Sequence, residues 1–108
     1  MSIVLYKLCK HCVALMDSWH PYPSTSLSKT CGMTLYQTRK ELKKLKQNGL
    51  VDSDIEVLKN DEGCFILRGY TITDKARKTQ EYKKAWQEER AICIKVFGYD
   101  VIGELKEE

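Results

Sequence analysis

The sequence has no apolar run near the ~20 residues that a membrane-spanning helix needs. Its opening, MSIVLYKLCKH, is interrupted by Lys7 and Lys10 too soon for a secretory signal. It has no internal repeat and no low-complexity stretch. Only two histidines are present, His11 and His20, the second directly before a proline. No Ser or Cys nucleophile sits in a recognisable motif. No glycine-rich loop is set to cradle phosphates, and no carboxylate pair marks a cleft. The expectation is a non-membrane protein that is not an enzyme and holds no cofactor.

Cysteine is present, but not in pairs that chemistry can use. The five are Cys9, Cys12, Cys31, Cys64 and Cys93. An odd number without a secretory leader argues against a disulfide framework and for a reducing, cytoplasmic setting. Cys9 and Cys12 form a C-x-x-C, but a structural zinc needs four ligands and no second pair exists. Their three-residue spacing puts both on one helical face with Leu5, Leu8 and Met16. Core packing is the expectation, with no metal; a zinc- or redox-sensing site is the alternative.

With 108 residues, the chain makes one domain with a real core, residues 1–108. Hydrophobic residues at 43% and charged ones at 31% fit neither disorder nor a membrane protein. The formal charge of +3 looks uninformative until it is divided along the chain. Residues 1–28 carry +1. Residues 29–50 carry six cations against Glu41 alone, for +5. Residues 51–75 carry −3, and residues 76–108 balance to zero. The positive charge is therefore concentrated in one segment, the pattern of a phosphate-binding stripe or of a solvated helix face.

Residues 3–19 read as an amphipathic helix capped by Ser2, with Leu8, Cys12, Met16 and Trp19 on its stripe. Residues 20–25 read as a loop, because His20 and Tyr22 each precede a proline. Ser24, Thr25 or Ser26 is set to cap a short helix ending at Gly32. Thr34 and Gln37 form a capping box that opens a third helix. That helix buries Leu35, Thr38, Leu42 and Leu45 and closes at Asn48-Gly49. Ile55, Val57 and Leu58, then Cys64 to Leu67 and Tyr70 to Ile72, read as two strands around the turn residues Asn60 to Gly63. Gly69 reads as a bulge or bend. Thr73 reads as the cap of a long fourth helix, Asp74 to Phe97, stopped by Gly98. Residues 99–105 are expected to add a further helical turn or two, and the acidic end, 104–108, to fray.

This is a mainly α chain with a small β-hairpin (α+β): helix, short helix, tight turn, basic helix, hairpin, long helix. Up to the hairpin it resembles a winged helix-turn-helix. Gly32-Met33-Thr34 forms the turn. Leu42-Lys43-Lys44-Leu45-Lys46-Gln47-Asn48-Gly49-Leu50-Val51 resembles a recognition helix running into the first wing strand. Tyr70-Thr71-Ile72-Thr73-Asp74-Lys75-Ala76-Arg77 is similar to the strand-into-helix junction of MarR-like and PadR-like regulators, usually Tyr-x-Leu-Thr-x-x-Gly-Arg; here Ile72 and Ala76 replace the Leu and Gly. The resemblance implies a helix-turn-helix core and wing over 1–72 and a C-terminal helix over 73–108 that dimerises. It also implies a transcriptional regulator of double-stranded DNA whose helix 34–48 reads the major groove.

In the register of that superfamily, Tyr36, Gln37, Arg39, Lys40 and Lys43 point outward. Arg39 is suited to guanine, Gln37 to adenine, and Lys40, Lys43 and Lys44 to phosphates. Thr34 and the helix start can meet a phosphate, while Ser26, Ser28 and Lys29 sit where the preceding helix crosses the backbone. In the wing only Lys59 and Arg68 are suited to DNA, because Asp61 and Glu62 at the tip repel phosphate. Tyr82, Trp86, Cys93, Val96 and Phe97 are more apolar area than an exposed helix should show, which favours a homodimer. The alternative is a winged-helix interaction module, an accessory factor of a phage, mobile element or replication system, whose partner is a protein.

Overall fold

The computed structural model describes residues 1–14 and 21–105; at Glu56, Leu58 and Asn60 it describes the backbone alone. The fold is α+β: among the described residues, four α-helices and one two-stranded antiparallel hairpin. Helix α1 (Ile3–Val13) starts where the Ser2 hydroxyl accepts the Leu5 N–H at 3.2 Å. It ends earlier than its apolar spacing predicts. Ala14 is extended, and the rest of the expected helix, including Leu15, Met16 and Trp19, lies outside the described residues.

Helix α2 (Ser24–Cys31) begins directly after Pro23, with no side-chain cap, so none of Ser24, Thr25 or Ser26 plays that part. Proline's fixed φ already places the chain for helix entry. Gly32 takes the left-handed conformation at φ 65°, and the Gly32 and Met33 N–H groups turn back onto the Lys29 and Ser28 carbonyls. Helix α3 (Leu35–Gln47) follows at once. Its capping box is complete: Thr34 Oγ1 accepts the Gln37 N–H at 3.1 Å and Gln37 Oε1 accepts the Thr34 N–H at 3.3 Å. Thr38, Leu42 and Leu45 are buried, and the Thr38 hydroxyl is satisfied by donating to the Thr34 carbonyl.

Strands β1 (Val51–Asn60) and β2 (Gly63–Ile72) are longer than the apolar residues alone suggest. They pair without interruption from Val51–Ile72 to Asn60–Gly63. Gly69 is not a bulge; it sits in register opposite Asp54. The expected loop at 20–25 contributes a bridge beside β2, where Tyr22 and Tyr70 exchange N–H···O bonds of 3.0 and 2.9 Å.

The fourth helix divides. A 3-10 turn at Asp74–Lys78 precedes helix α4 (Gln80–Phe97), which Thr79 caps by accepting the Tyr82 N–H. The expected cap, Thr73, instead donates its hydroxyl to the Gly49 carbonyl, and Lys75 Nζ donates to the Asn48 carbonyl at 2.8 Å. The chain leaving the hairpin thus satisfies the carbonyls at the end of α3. After Gly98 no helix continues through 105. The tail folds back: Trp86 Nε1 donates to the Gly103 carbonyl at 3.0 Å, and Arg90 pairs with Asp100 at 2.8 Å.

The core lies between α1 and α4, closed by α2, α3 and the base of the hairpin. Leu5, Leu8, Leu27 and Leu42 are fully buried, each worth roughly 1.5–3 kcal/mol over an exposed side chain. On the α1–α4 seam the Tyr6 hydroxyl donates to the Glu88 carboxylate, which also pairs with Lys10 at 3.1 Å, and the Lys84 ammonium lies 4.8 Å from the centre of the Tyr6 ring. No described helix is long and apolar enough to cross a membrane.

Candidate nucleic-acid interface

A helix advances ~100° per residue. With Thr38, Leu42 and Leu45 turned inward, the opposite crest of α3 is Tyr36, Lys40, Lys43 and Gln47. All four are exposed, Tyr36 at 76%. One flank carries Gln37 and Lys44, which with Met33, Lys40, Glu41, Lys43 and Gln47 line a shallow groove. The other flank carries Arg39 and Lys46. Arg39 Nε donates to Ser24 Oγ at 3.4 Å, reaching α2, and Lys46 Nζ donates to Ser53 Oγ at 3.0 Å, reaching the hairpin.

These cations are not neutralised within the fold. Among the described residues, no carboxylate lies within ion-pair distance of Arg39, Lys40, Lys43 or Lys44. Glu41, the lone acid of the segment, instead accepts the Ser2 hydroxyl at 3.1 Å, at the start of α1. Four like charges this close on one helix raise a positive potential, which Glu41 on the same helix lowers only in part.

The expected residues divide by how free their polar atoms are. Tyr36, Lys40, Lys43 and Lys44 project into solvent, and Lys29 is exposed on α2 just before the turn. Gln37 and Thr34 spend their side chains on the capping box. Ser28 donates its hydroxyl to the Met33 carbonyl at 2.6 Å, which ties the turn itself. Ser26 is half-buried, one turn before Thr30, whose hydroxyl its carbonyl accepts. Gln47 carries no signal of its own in the sequence, although it falls eleven residues after Tyr36 and so completes the crest.

The hairpin's charge separates by its pleat. Alternate residues of a strand face opposite sides, and residues paired across an antiparallel ladder share a side. Ser53 touches Lys46, so its side is the α3 side. That side carries Ile55, Val57 and Lys59 from β1, and Cys64, Ile66 and Arg68 from β2. Both cations of the hairpin lie there. Asp52 and Asp54 lie on the other side, and Asp61 and Glu62 form the turn. A segment total of −3 conceals this division.

Cys9 is buried in the core and Cys12 is half-buried against it, whereas Cys64 is exposed on the hairpin. Burial pushes the Cys9 thiol up to about 12 and raises that of Cys12 as well, so neither favours the thiolate that metal or redox chemistry uses. All five cysteines are unpaired. Among the described residues, no group of three His, Cys, Asp or Glu is placed to hold a metal ion; His20 lies outside them. Comparison of the chain with protein families, with curated proteins and with solved structures found no match.

Proposed function

We propose that this chain is a winged helix-turn-helix protein that binds double-stranded DNA and regulates transcription. In this reading α3 is the recognition helix, lying in the major groove, and the hairpin is the wing. The observation that carries it is the cationic crest of α3, whose lysines form no ion pair among the described residues. Tyr36, Lys40 and Lys43 stand clear of the body on a helix fixed by a full capping box and a buried opposite face. A groove ≈ 12 Å wide admits one helix, and cations on its flanks meet the phosphate walls. Lys59 and Arg68 extend the positive surface along the hairpin on the same side. The unpaired cysteines suit a reducing cytoplasm.

The test is a fluorescence-anisotropy titration against duplex DNA from around the protein's own gene, at several salt concentrations. Neutralising about five phosphates gives a slope of log affinity against log salt of about −4 to −5. Absence of binding at about 50 mM salt, where such contacts are strong, or a slope near zero, refutes the reading.

The protein acts in this reading as a homodimer. The end of α4 carries Ile92, Ile94, Val96 and Phe97, all exposed and together spanning just over half of the helix circumference around buried Cys93, with Lys95 on the remaining side. Exposed apolar area of this extent marks an interaction surface. Pairing two copies there sets two α3 helices against half-sites ~34–36 Å apart. Val96→Lys combined with Phe97→Lys is expected to yield monomer in sedimentation velocity; an unchanged sedimentation coefficient rejects this interface.

A further inference from the structure

We propose that the face of the hairpin turned away from α3 docks a second protein, through a partner surface that is both apolar and cationic. Among the described residues its outer half is a lone pair of strands: the Tyr22 bridge reaches only Tyr70, and Pro21 and Tyr22 pass over this face only at Gly69, near the base. Two-stranded hairpins are marginal in water unless a face is covered. On this face Phe65 is 53% exposed and Leu67 is half-buried beside it. Asp52 and Asp54 lie on the same face, and Asp61 and Glu62 close the turn. The hairpin's two cations, Lys59 and Arg68, are on the opposite face. An apolar patch with carboxylates toward its base and at its tip repels phosphates and anionic lipid alike. It complements Lys or Arg set around apolar side chains.

The mode of docking also follows. Tyr70 spends its N–H and carbonyl on Tyr22, so its cross-strand partner Ser53 points its own backbone groups outward, at the free edge of β1. Two residues on, Ile55 does the same. Both outward N–H groups are already taken: Asp52 Oδ1 accepts that of Ser53 at 2.9 Å, and Asp54 Oδ1 that of Ile55 at 2.8 Å. An added strand, whether from a partner or from a second copy, finds those donors occupied. With those two donors taken, docking across the face is favoured over strand addition, and there the remaining carboxylate oxygens meet the partner's cations. This inference does not depend on DNA binding by α3.

The test uses the full chain and two synthetic probes: a twelve-residue peptide alternating Lys or Arg with Leu or Phe, and its Glu and Asp counterpart. Amide chemical shifts in ¹⁵N-labelled protein report where each binds. The cationic peptide is expected to bind saturably, moving the signals of Asp52, Asp54, Phe65 and Leu67, while the acidic one leaves them unmoved. Phe65→Ser is expected to weaken binding at least tenfold, and Asp52→Asn with Asp54→Asn several-fold, with the circular-dichroism spectrum unchanged. The proposal falls if the cationic peptide shows no saturation by about 1 mM, if it binds elsewhere, or if both peptides bind alike. It falls too if Phe65→Ser dissociates the protein into monomers, which assigns the face to a second copy, or lowers duplex affinity, which assigns it to DNA.

Discussion

Alanine at both Arg39 and Lys40 is expected to abolish duplex binding while leaving the fold intact. The two residues sit side by side but act in different directions. Lys40 is on the crest opposite the core, and Arg39 is on the flank that reaches Ser24 at the start of α2. A bidentate hydrogen bond to a base is worth ≈ 1–3 kcal/mol, and removing one phosphate-binding cation reduces the salt slope by ≈ 1. Together these losses amount to roughly fifty- to a thousandfold in affinity at moderate salt. Neither side chain is buried, and within the fold the double variant gives up only the 3.4 Å hydrogen bond from Arg39 to Ser24. Alanine is also the better helix former. The melting temperature should therefore hold or rise slightly. Unchanged affinity in the double variant would end the assignment of α3 as the DNA-reading helix. Lost affinity with a lost melting transition would mean the variant reports folding instead.

Some of this architecture is legible in the sequence because its causes are local. The capping box at Thr34 and Gln37 spans four residues. The inward stripe of Thr38, Leu42 and Leu45 needs only the helical period. Several features that the sequence misplaces are decided by a distant part of the chain, unlike the start of α2, which the adjacent Pro23 sets. Thr73 and Thr79 are both good caps, and the choice between them turns on the Gly49 carbonyl, which takes the Thr73 hydroxyl from 24 residues away. The tail after Gly98 forgoes its helix because Trp86 and Arg90 offer better partners for Gly103 and Asp100. The hairpin's charge is the clearest case. Which residues share a side depends on the register, and the register is set by the turn at Asp61-Glu62. Counting along the chain adds Lys59 and Arg68 to the acids; the pleat separates them from Asp52 and Asp54.

Gly69 carries the strongest constraint on the fold, and replacing it by alanine is expected to cost more stability than any surface change. Its backbone is not left-handed, so conformational freedom is not the reason for glycine. Space is. A β-carbon at 69 would stand 2.7 Å from Pro21 C and Tyr22 N, and 2.8 Å from Tyr22 C. These are backbone atoms of the segment that bridges to Tyr70, so no side-chain rotation relieves the clash. The segment has to move, which strains the two Tyr22–Tyr70 hydrogen bonds and the stack of Tyr22 on His11, whose ring centres are 4.2 Å apart. Overpacking costs about 1–3 kcal/mol, and each backbone hydrogen bond broken adds about 0.5–1.5. A loss of about 2–6 kcal/mol follows for Gly69→Ala, a large share of the ~5–15 kcal/mol that holds a domain folded. Gly32→Ala is the instructive contrast. Gly32 has φ 65° and nothing within 4 Å of the added carbon, so only backbone strain is felt, about 1–2 kcal/mol. Urea midpoints at constant slope separate the two. If Gly69→Ala is as mild as a surface change, the Tyr22 segment is free to shift and does not fix the hairpin. If the loss is as expected, the effect should also reach α3. The displaced segment leads within two residues to Ser24, which begins α2 and accepts from Arg39. A methyl group on the hairpin would then weaken DNA binding without touching DNA.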